Sequence, residues 1–316
     1  MNQSVVRSQS RPLVSIIINC YNGERYLPQA LESVRSQSYS NWEIIFWDNA
    51  SIDGSAALAL AFGQPLRYFK NAVNVPLGAA RNQALAEAQG AYVVFLDCDD
   101  ILLPLALEAQ VNVLEEYPYA LVYGGLIYID EGGHEIGRKT PDSHRGCLLA
   151  EQLYQYDIGL PTVMIRRQVL LDNNLGFEPT FRVAEDYWLF MQLAAAYEIC
   201  SIPKILAKYR IHQSALTVRS AECWGAEIEY TLKLILEKFP DQKLKHPAAF
   251  RAAYARVAYY RARHHVMCGR RYAAMRELAG SLLIDFRYSI LFILLFLPLR
   301  TWDALHKWRS GRSFRT

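Results

Sequence analysis

Apolar and polar positions alternate in blocks through the first hundred residues. Residues 13–19, 42–47 and 91–96 are nearly continuous apolar runs, with a shorter one at 66–69. Such runs predict strands buried on both faces. Between them lie stretches with helical spacing. Residues 25–37 carry Leu27, Ala30, Leu31 and Val34 on one face, and 56–62 and 79–89 are Ala/Leu-rich, with Gly90 as the expected C-terminal cap of the latter. This β-α-β-α-β-α-β alternation predicts an α/β fold with a mostly parallel, doubly wound sheet and right-handed crossovers. Each strand closes on polar residues: Tyr21 and Asn22, Asp48 and Asn49, Asp97 and Asp99. In a doubly wound sheet those ends share one edge, so the three clusters should line one cleft.

Further along, a helix is expected over 102–116, strands over 120–124 and 126–129, and a turn at Gly132-Gly133. Residues 137–147 are polar and expected to be mobile. A helix over 148–156, a strand over 162–165, a helix over 187–197 and a short strand within 199–209 follow. Strand signals vanish after about residue 220, and helices are expected over 222–239, 247–268 and 272–283. The boundary is placed at 215–220, dividing an α/β domain over 12–215 from a helical region over 220–316.

Composition changes this picture little. With 316 residues, 52% of them hydrophobic, the chain can bury a sizeable core, and a net charge of +3 gives no argument for nucleic acid. Six scattered cysteines, none in a C-x-x-C pair, suggest neither a zinc site nor a disulfide framework and fit a reducing compartment. The short apolar run after Arg7 and Arg11 lacks a cleavage site and reads as the first strand rather than a signal peptide.

The chemistry concentrates at Asp97-Cys98-Asp99-Asp100. Three carboxylates at a strand end suit a divalent metal carrying a diphosphate. Asp100 capping a following helix is the plainer reading. Tyr21, Asn22 and Glu24 could line a nucleotide or form an ordinary Asn-Gly turn. Asp48 could accept from a base or ribose, or cap a turn. Arg81 has the forked donor for a diphosphate, or is a solvated helix arginine. Glu185-Asp186 at a helix start is either a base-bearing pair or a capping pair. Arg210 and His212 share a face on a strand-like segment, where His212 could complete a metal site or touch phosphate, an ordinary structural histidine being the plainer reading. No G-x-G-x-x-G, Walker or G-x-S-x-G motif is present, which argues against dinucleotide, P-loop and serine-hydrolase chemistry.

Taken in order, these pieces resemble glycosyltransferase family two over roughly residues 13–214. The matching segments are Val14-Ser15-Ile16-Ile17-Ile18-Asn19-Cys20-Tyr21-Asn22-Gly23-Glu24, Trp47-Asp48-Asn49-Ala50-Ser51-Ile52-Asp53-Gly54-Ser55, Gly78-Ala79-Ala80-Arg81-Asn82, the strand ending at Asp97-Cys98-Asp99-Asp100, Pro161-Thr162-Val163-Met164-Ile165, Ala184-Glu185-Asp186-Tyr187 and Tyr209-Arg210-Ile211-His212. The resemblance implies an A-type glycosyltransferase fold and an inverting enzyme using a nucleoside-diphosphate sugar. It implies that Asp48 reads the base, that Tyr21 and Asn22 line the nucleotide, and that Arg81 touches it; Glu24, beside them in the turn, is counted with the nucleotide-sugar residues. Asp97 would bind sugar or ribose. Asp99 would hold Mg²⁺ or Mn²⁺ and Asp186 would be the general base; beside these, His212 is a candidate second metal ligand, and Glu185 and Arg210 are candidate supporting residues. Two positions depart from the pattern: Trp188 stands where relatives often carry an acid, and Cys20 where many carry proline or a small polar residue.

The resemblance fades after residue 215. Residues 290–299 are ten consecutive apolar positions, followed by Trp302, Lys307, Trp308 and Arg309. A bilayer span needs about 20 apolar residues, so this stretch suits an interfacial helix pair. A helix docked on the catalytic domain or on a second chain fits the same pattern. The expected acceptor is a lipid-linked saccharide or growing surface glycan, with the enzyme cytoplasmic at the inner face of the membrane. A sugar-1-phosphate nucleotidyltransferase would need a basic glycine-rich loop that Asn22-Gly23-Glu24 does not supply. A non-catalytic scaffold of a glycan-assembly complex is the alternative from another class, and the intact Asp97, Asp99, Glu185 and Asp186 argue against it. Donor sugar and linkage are not legible.

Overall fold

The computed structural model describes residues 11–220 and 222–282, together with 284, 292 and 293. Its first half runs β1 (Val14–Cys20), α1 (Leu27–Arg35), β2 (Trp42–Asp48), α2 (Ser55–Phe62), β3 (Leu66–Lys70), α3 (Leu77–Glu87) and β4 (Tyr92–Asp97). These are the expected alternating elements. Val93, Val94, Phe95 and Leu96 of β4 are all at most 1% exposed. Burying each such side chain is worth about 1.5–3 kcal/mol, so an unbroken apolar run fixes this strand at the sheet's centre.

The second half adds β5 (Ile101–Leu102), α4 (Ala106–Glu116), β6 (Leu121–Ile129), β7 (Glu135–Lys139), β8 (Arg145–Gly146), α5 (Leu149–Tyr154), a 3₁₀ turn (Leu160–Thr162), β9 (Met164–Arg166), α6 (Arg167–Asp172), α7 (Glu185–Ala196) and β10 (Ile199–Arg210). All the strands form one sheet in the order β3-β2-β1-β4-β9-β6-β10-β5, with β7 on β6 and β8 on β10. The β1–β2, β2–β3, β1–β4 and β6–β10 pairs are parallel. β9 lies antiparallel between β4 and β6, so it restores their common direction.

The register aligns the strand ends. Cys20 pairs with Asp48, Asp48 with Lys70 and Asn19 with Asp97. The order reverses between β1 and β4, where the crevice of such sheets opens.

Several expectations are corrected. Residues 137–147 are not wholly irregular: they include the end of β7 and all of β8, whose few apolar residues concealed them because both pair at the sheet's periphery, while 140–144 form no strand or helix. The two strands expected over 120–129 are one continuous β6, and the short strand in 199–209 is the 12-residue β10. No helix starts at Asp100. Ile101 and Leu102 pair with β10 and α4 begins at Ala106, so the capping reading of Asp100 fails. Gly90 does not cap α3, which ends at Glu87 with an extended Ala88. A Cβ on Gly90 would lie 2.6 Å from the Ser15 nitrogen, so its glycine serves close packing on β1.

Beyond β10 come α8 (Leu216–Arg219), α9 (Trp224–Lys238), α10 (Asp241–Lys245), α11 (Pro247–Met267) and α12 (Arg271–Ala279). Ile228, Leu232 and Ile235 of α9 and Phe250, Ala253 and Val257 of α11 join the core that holds Tyr187, Phe190 and Leu193 of α7. The C-terminal helices therefore brace α7 directly. Among the described residues no helix is long and apolar enough to cross a membrane. The stretch 288–309 lies outside the described residues except for 292 and 293.

Candidate active site

The β1–α1 and β2–α2 loops are stitched together. Asn22, at φ +53°, donates its backbone N–H to Ser51 Oγ (3.0 Å), and its Oδ1 accepts from the Ile52 N–H (3.0 Å). Glu24 donates its N–H to Asp53 Oδ2 (3.0 Å) and accepts from the Gly54 N–H through Oε2 (2.8 Å). Asp48 is fully buried, accepting from the Ser51 N–H and the Tyr68 hydroxyl at 2.6 Å each, with Lys70 Nζ at 3.5 Å. Burial alone would raise its carboxyl, but these hydrogen bonds and the lysine charge hold it below the ordinary range. Asn22, Glu24 and Asp48 thus build the wall of the cleft. Tyr21 remains 52% exposed beside it.

The β4 end is held from two sides. Arg81 of α3 is buried, and its Nη2 donates to Asp97 Oδ1 at 2.6 Å while Nη1 binds Glu185 Oε1. Its guanidinium lies over the Phe177 ring. On the other side, the Arg210 N–H donates to Asp100 Oδ1 (2.9 Å) and its Nε to the Asp99 carbonyl (3.0 Å). Arg210 also donates to Gln29 and stacks over Tyr26 at 4.5 Å. This buried arginine is an anchor for the turn. His212 Nε2 and Asp99 Oδ2 share a hydrogen bond of 2.8 Å, and His212 Nδ1 lies 2.7 Å from Ser214 Oγ. The antiparallel β5–β10 pairing brings His212 to a turn more than a hundred residues upstream.

Carboxylate oxygens of Asp97, Asp99 and Asp100 lie within 4.8 Å of one another. Asp100 Oδ2 is buried without a hydrogen-bond partner. Burial first, then the neighbouring Asp99 and Asp97, pushes the Asp100 carboxyl well above its usual range. Burial also raises Asp97, against the pull of Arg81. An all-oxygen set with an orphaned buried oxygen fits a hard divalent cation such as Mg²⁺ or Mn²⁺.

The opposite wall is the start of α7. Glu185 is buried against Arg81, with its Oε2 unpartnered. Burial pushes its carboxyl up to about 7, although Arg81 opposes the shift. Asp186 accepts from the Tyr187 N–H (2.6 Å) and is raised to about 6, again chiefly by burial. A partly exposed carboxylate with that value suits a proton acceptor near neutral pH. Arg81 therefore links Asp97 to the turn that carries Asp186.

Glu227, which no motif singles out, holds that turn from behind. Its Oε1 accepts from the Arg182 N–H (2.8 Å), and its Oε2 accepts from the Val183 and Ala184 N–H groups (3.0 Å each). The contact joins α9 to a loop over forty residues away, and no local spacing announces it.

The model of the family described as glycosyl transferase family 2 matches residues 15–177, just over half of the chain. The chain belongs to glycosyltransferase family 2. This family 2 enzyme is 31% identical over 215 residues to the Escherichia coli protein named UDP-Glc:alpha-D-GlcNAc-diphosphoundecaprenol beta-1,3-glucosyltransferase WfgD, across 65% of this chain and 79% of that protein. Its fold resembles that of S. aureus TarS 1–349 solved with UDP-GlcNAc, with a TM-score of 0.60 at 19% identity over 96% of this chain and 93% of TarS 1–349. It also resembles the Pyrobaculum calidifontis mannosyltransferase PcManGT solved with GDP-Man and Mn²⁺, with a TM-score of 0.53 at 18% identity over 95% and 88% of the two chains. At those identities the likeness speaks for the fold, which is the A-type glycosyltransferase fold expected from the sequence.

Proposed function

We propose that this glycosyltransferase moves a sugar, with inversion, from a nucleoside-diphosphate sugar (a UDP-sugar) to a hydroxyl of a lipid-linked or growing surface glycan. Asp186 is the base that takes the acceptor proton. Asp97 holds sugar or ribose, and Tyr21, Asn22, Glu24 and Asp48 form the nucleotide side of the cleft. Asp99, with His212 beside it, would hold Mg²⁺ or Mn²⁺, which when bound neutralises charge on the departing diphosphate. The observation that carries this reading is the Arg81 bridge, because it ties the donor-side Asp97 to the turn bearing Asp186. The lipid-linked acceptor draws support from the diphosphoundecaprenol acceptor in the name of WfgD. Attachment at the inner membrane face would fall to the apolar and basic stretch 288–309.

The test is release of nucleoside diphosphate across a panel of nucleotide sugars, with and without saccharide acceptors. Asp186→Asn should keep nucleotide affinity within a few-fold and remove transfer; full activity in that variant overturns the base assignment. Asp99→Ala should remove the Mn²⁺-dependent part of UDP binding in calorimetry, and unchanged binding overturns the metal assignment. Flotation with anionic liposomes, comparing the full chain with one cut before Leu282, tests the tail.

A further inference from the structure

The six cysteines are far apart in sequence, but the fold brings two of them together at the cleft. Cys20 ends β1, and Cys98 is the middle residue of the Asp97-Cys98-Asp99 turn. Asn19 and Asp97 are the last register partners of the parallel β1–β4 pair, and Cys20 and Cys98 each follow by one position, Cys98 in the turn just beyond β4. Adjacent strands run about 4.8 Å apart, inside the Cα spacing of roughly 4.4–6.8 Å that a disulfide spans. The sulfurs converge on one point: a Cβ built on Gly23 would lie 2.6 Å from Cys98 Sγ and 2.8 Å from Cys20 Sγ. Both cysteines are free, Cys20 buried and Cys98 partly exposed.

We propose that Cys20 and Cys98 form a thiol–disulfide exchange site that takes low-molecular-weight disulfides and becomes cross-linked, closing the donor side of the cleft. The partly exposed Cys98 sulfur attacks one sulfur of the incoming disulfide. A mixed disulfide forms, and the first thiol leaves with the Cys98 proton. The Cys20 sulfur then attacks Cys98 Sγ, a protein disulfide forms, and the second thiol leaves with the Cys20 proton. The two cysteines are oxidised by two electrons and the small disulfide is reduced to two thiols.

The cross-link acts on the turn that matters. Asp99 and Asp100 are already tied to β10 through Arg210 and His212. A bond from Cys98 to β1 pulls the same turn the other way, and Asp97 and Asp99 flank the bonded residue. A thiol reductant reverses it, so in a reducing compartment the site rests open.

The experiment uses the full chain treated with oxidised glutathione, then peptide mapping by mass spectrometry and UDP binding by calorimetry. Exposed Cys147 and Cys268 are replaced by serine in a parallel sample to keep them from competing. The expected result is a peptide pair joined through Cys20 and Cys98, a loss of UDP affinity of at least about tenfold, taken as one unit of 1.4 kcal/mol, and recovery with dithiothreitol. Cys20→Ser, which lacks the resolving thiol, should give no cross-link and should instead keep a glutathione adduct on Cys98 that dithiothreitol removes, whereas the unmodified chain should keep none. A lasting glutathione adduct on Cys98 of the unmodified chain with no cross-link overturns the proposal, as does a cross-linked chain with unchanged affinity. The inference rests on the proposed donor site only for its binding readout. Failure of the donor reading would show as no UDP binding by the reduced chain, whereas failure of the exchange site would show as an absent cross-link.

Discussion

Replacing Arg81 by methionine tests the link between the two halves of the site. Methionine keeps much of the length and removes the charge. Asp97 and Glu185 then lose their shared cation in a place where Arg81 is 2% and Glu185 3% exposed, so water cannot replace it. Removing one partner of a buried ion pair costs about 3–5 kcal/mol. A typical total stability is about 5–15 kcal/mol, so the loss is a large fraction of it. With a urea slope of about 2–3 kcal/mol per molar, the midpoint should fall by roughly 1–2 M. The sign with pH follows. Without the cation, the folded-state values of Asp97 and Glu185 rise further above those of the unfolded chain. The folded state then holds protons that the unfolded state has released, and stability drops as pH climbs through neutrality. The deficit should therefore be larger at pH 8 than at pH 5. Adding Glu185→Gln should recover part of it, because one stranded charge is removed. A loss under about 1 kcal/mol, or a deficit that shrinks as pH rises, would refute the view of Arg81 as a buried bridge.

The remaining predictions concern its neighbours. Burial pushes the Asp186 carboxyl up to about 6, so kcat/KM for transfer should rise with pH through that value and lose this limb in Asp186→Asn. Glu185 at about 7 and Asp186 at about 6 both lie above ordinary carboxyls, so urea stability of the unmodified chain should decline from pH 5 to pH 8. Glu227→Ala strands three N–H groups and should cost about 2–3 kcal/mol with at least a tenfold lower kcat, while Glu227→Gln keeps an acceptor and loses less. Asp100→Asn should change stability by less than about 1 kcal/mol, since burial already favours the neutral acid, yet weaken Mn²⁺ binding in calorimetry.

The parallel half of the fold was legible because its signals are local. An apolar run followed by a polar cap identifies β1, β2 and β4, and the right-handed crossover rule does the rest. The peripheral strands were not legible. β7 and β8 carry Glu135, Arg138 and Arg145, and their strand conformation comes from pairing with β6 and β10 rather than from their own pattern. Asp100 was misread for a related reason. Its role depends on β5 meeting β10, a contact between residues about a hundred positions apart.

The site divides along the same line. Which residues carry charge could be read from motifs, but which charges meet could not. Arg81 looked like a free cation for a diphosphate, yet two carboxylates already occupy its guanidinium. A phosphate approaching Arg81 would therefore compete with Asp97 and Glu185, so the cation is better placed to hold the two walls at a fixed separation. Glu227 extends this logic. The family match ends at residue 177, yet the turn before Asp186 hangs on a carboxylate from α9. The C-terminal helices are thus part of what positions Asp186, the proposed base, and truncating the chain near residue 215 should abolish transfer even where the nucleotide cleft survives.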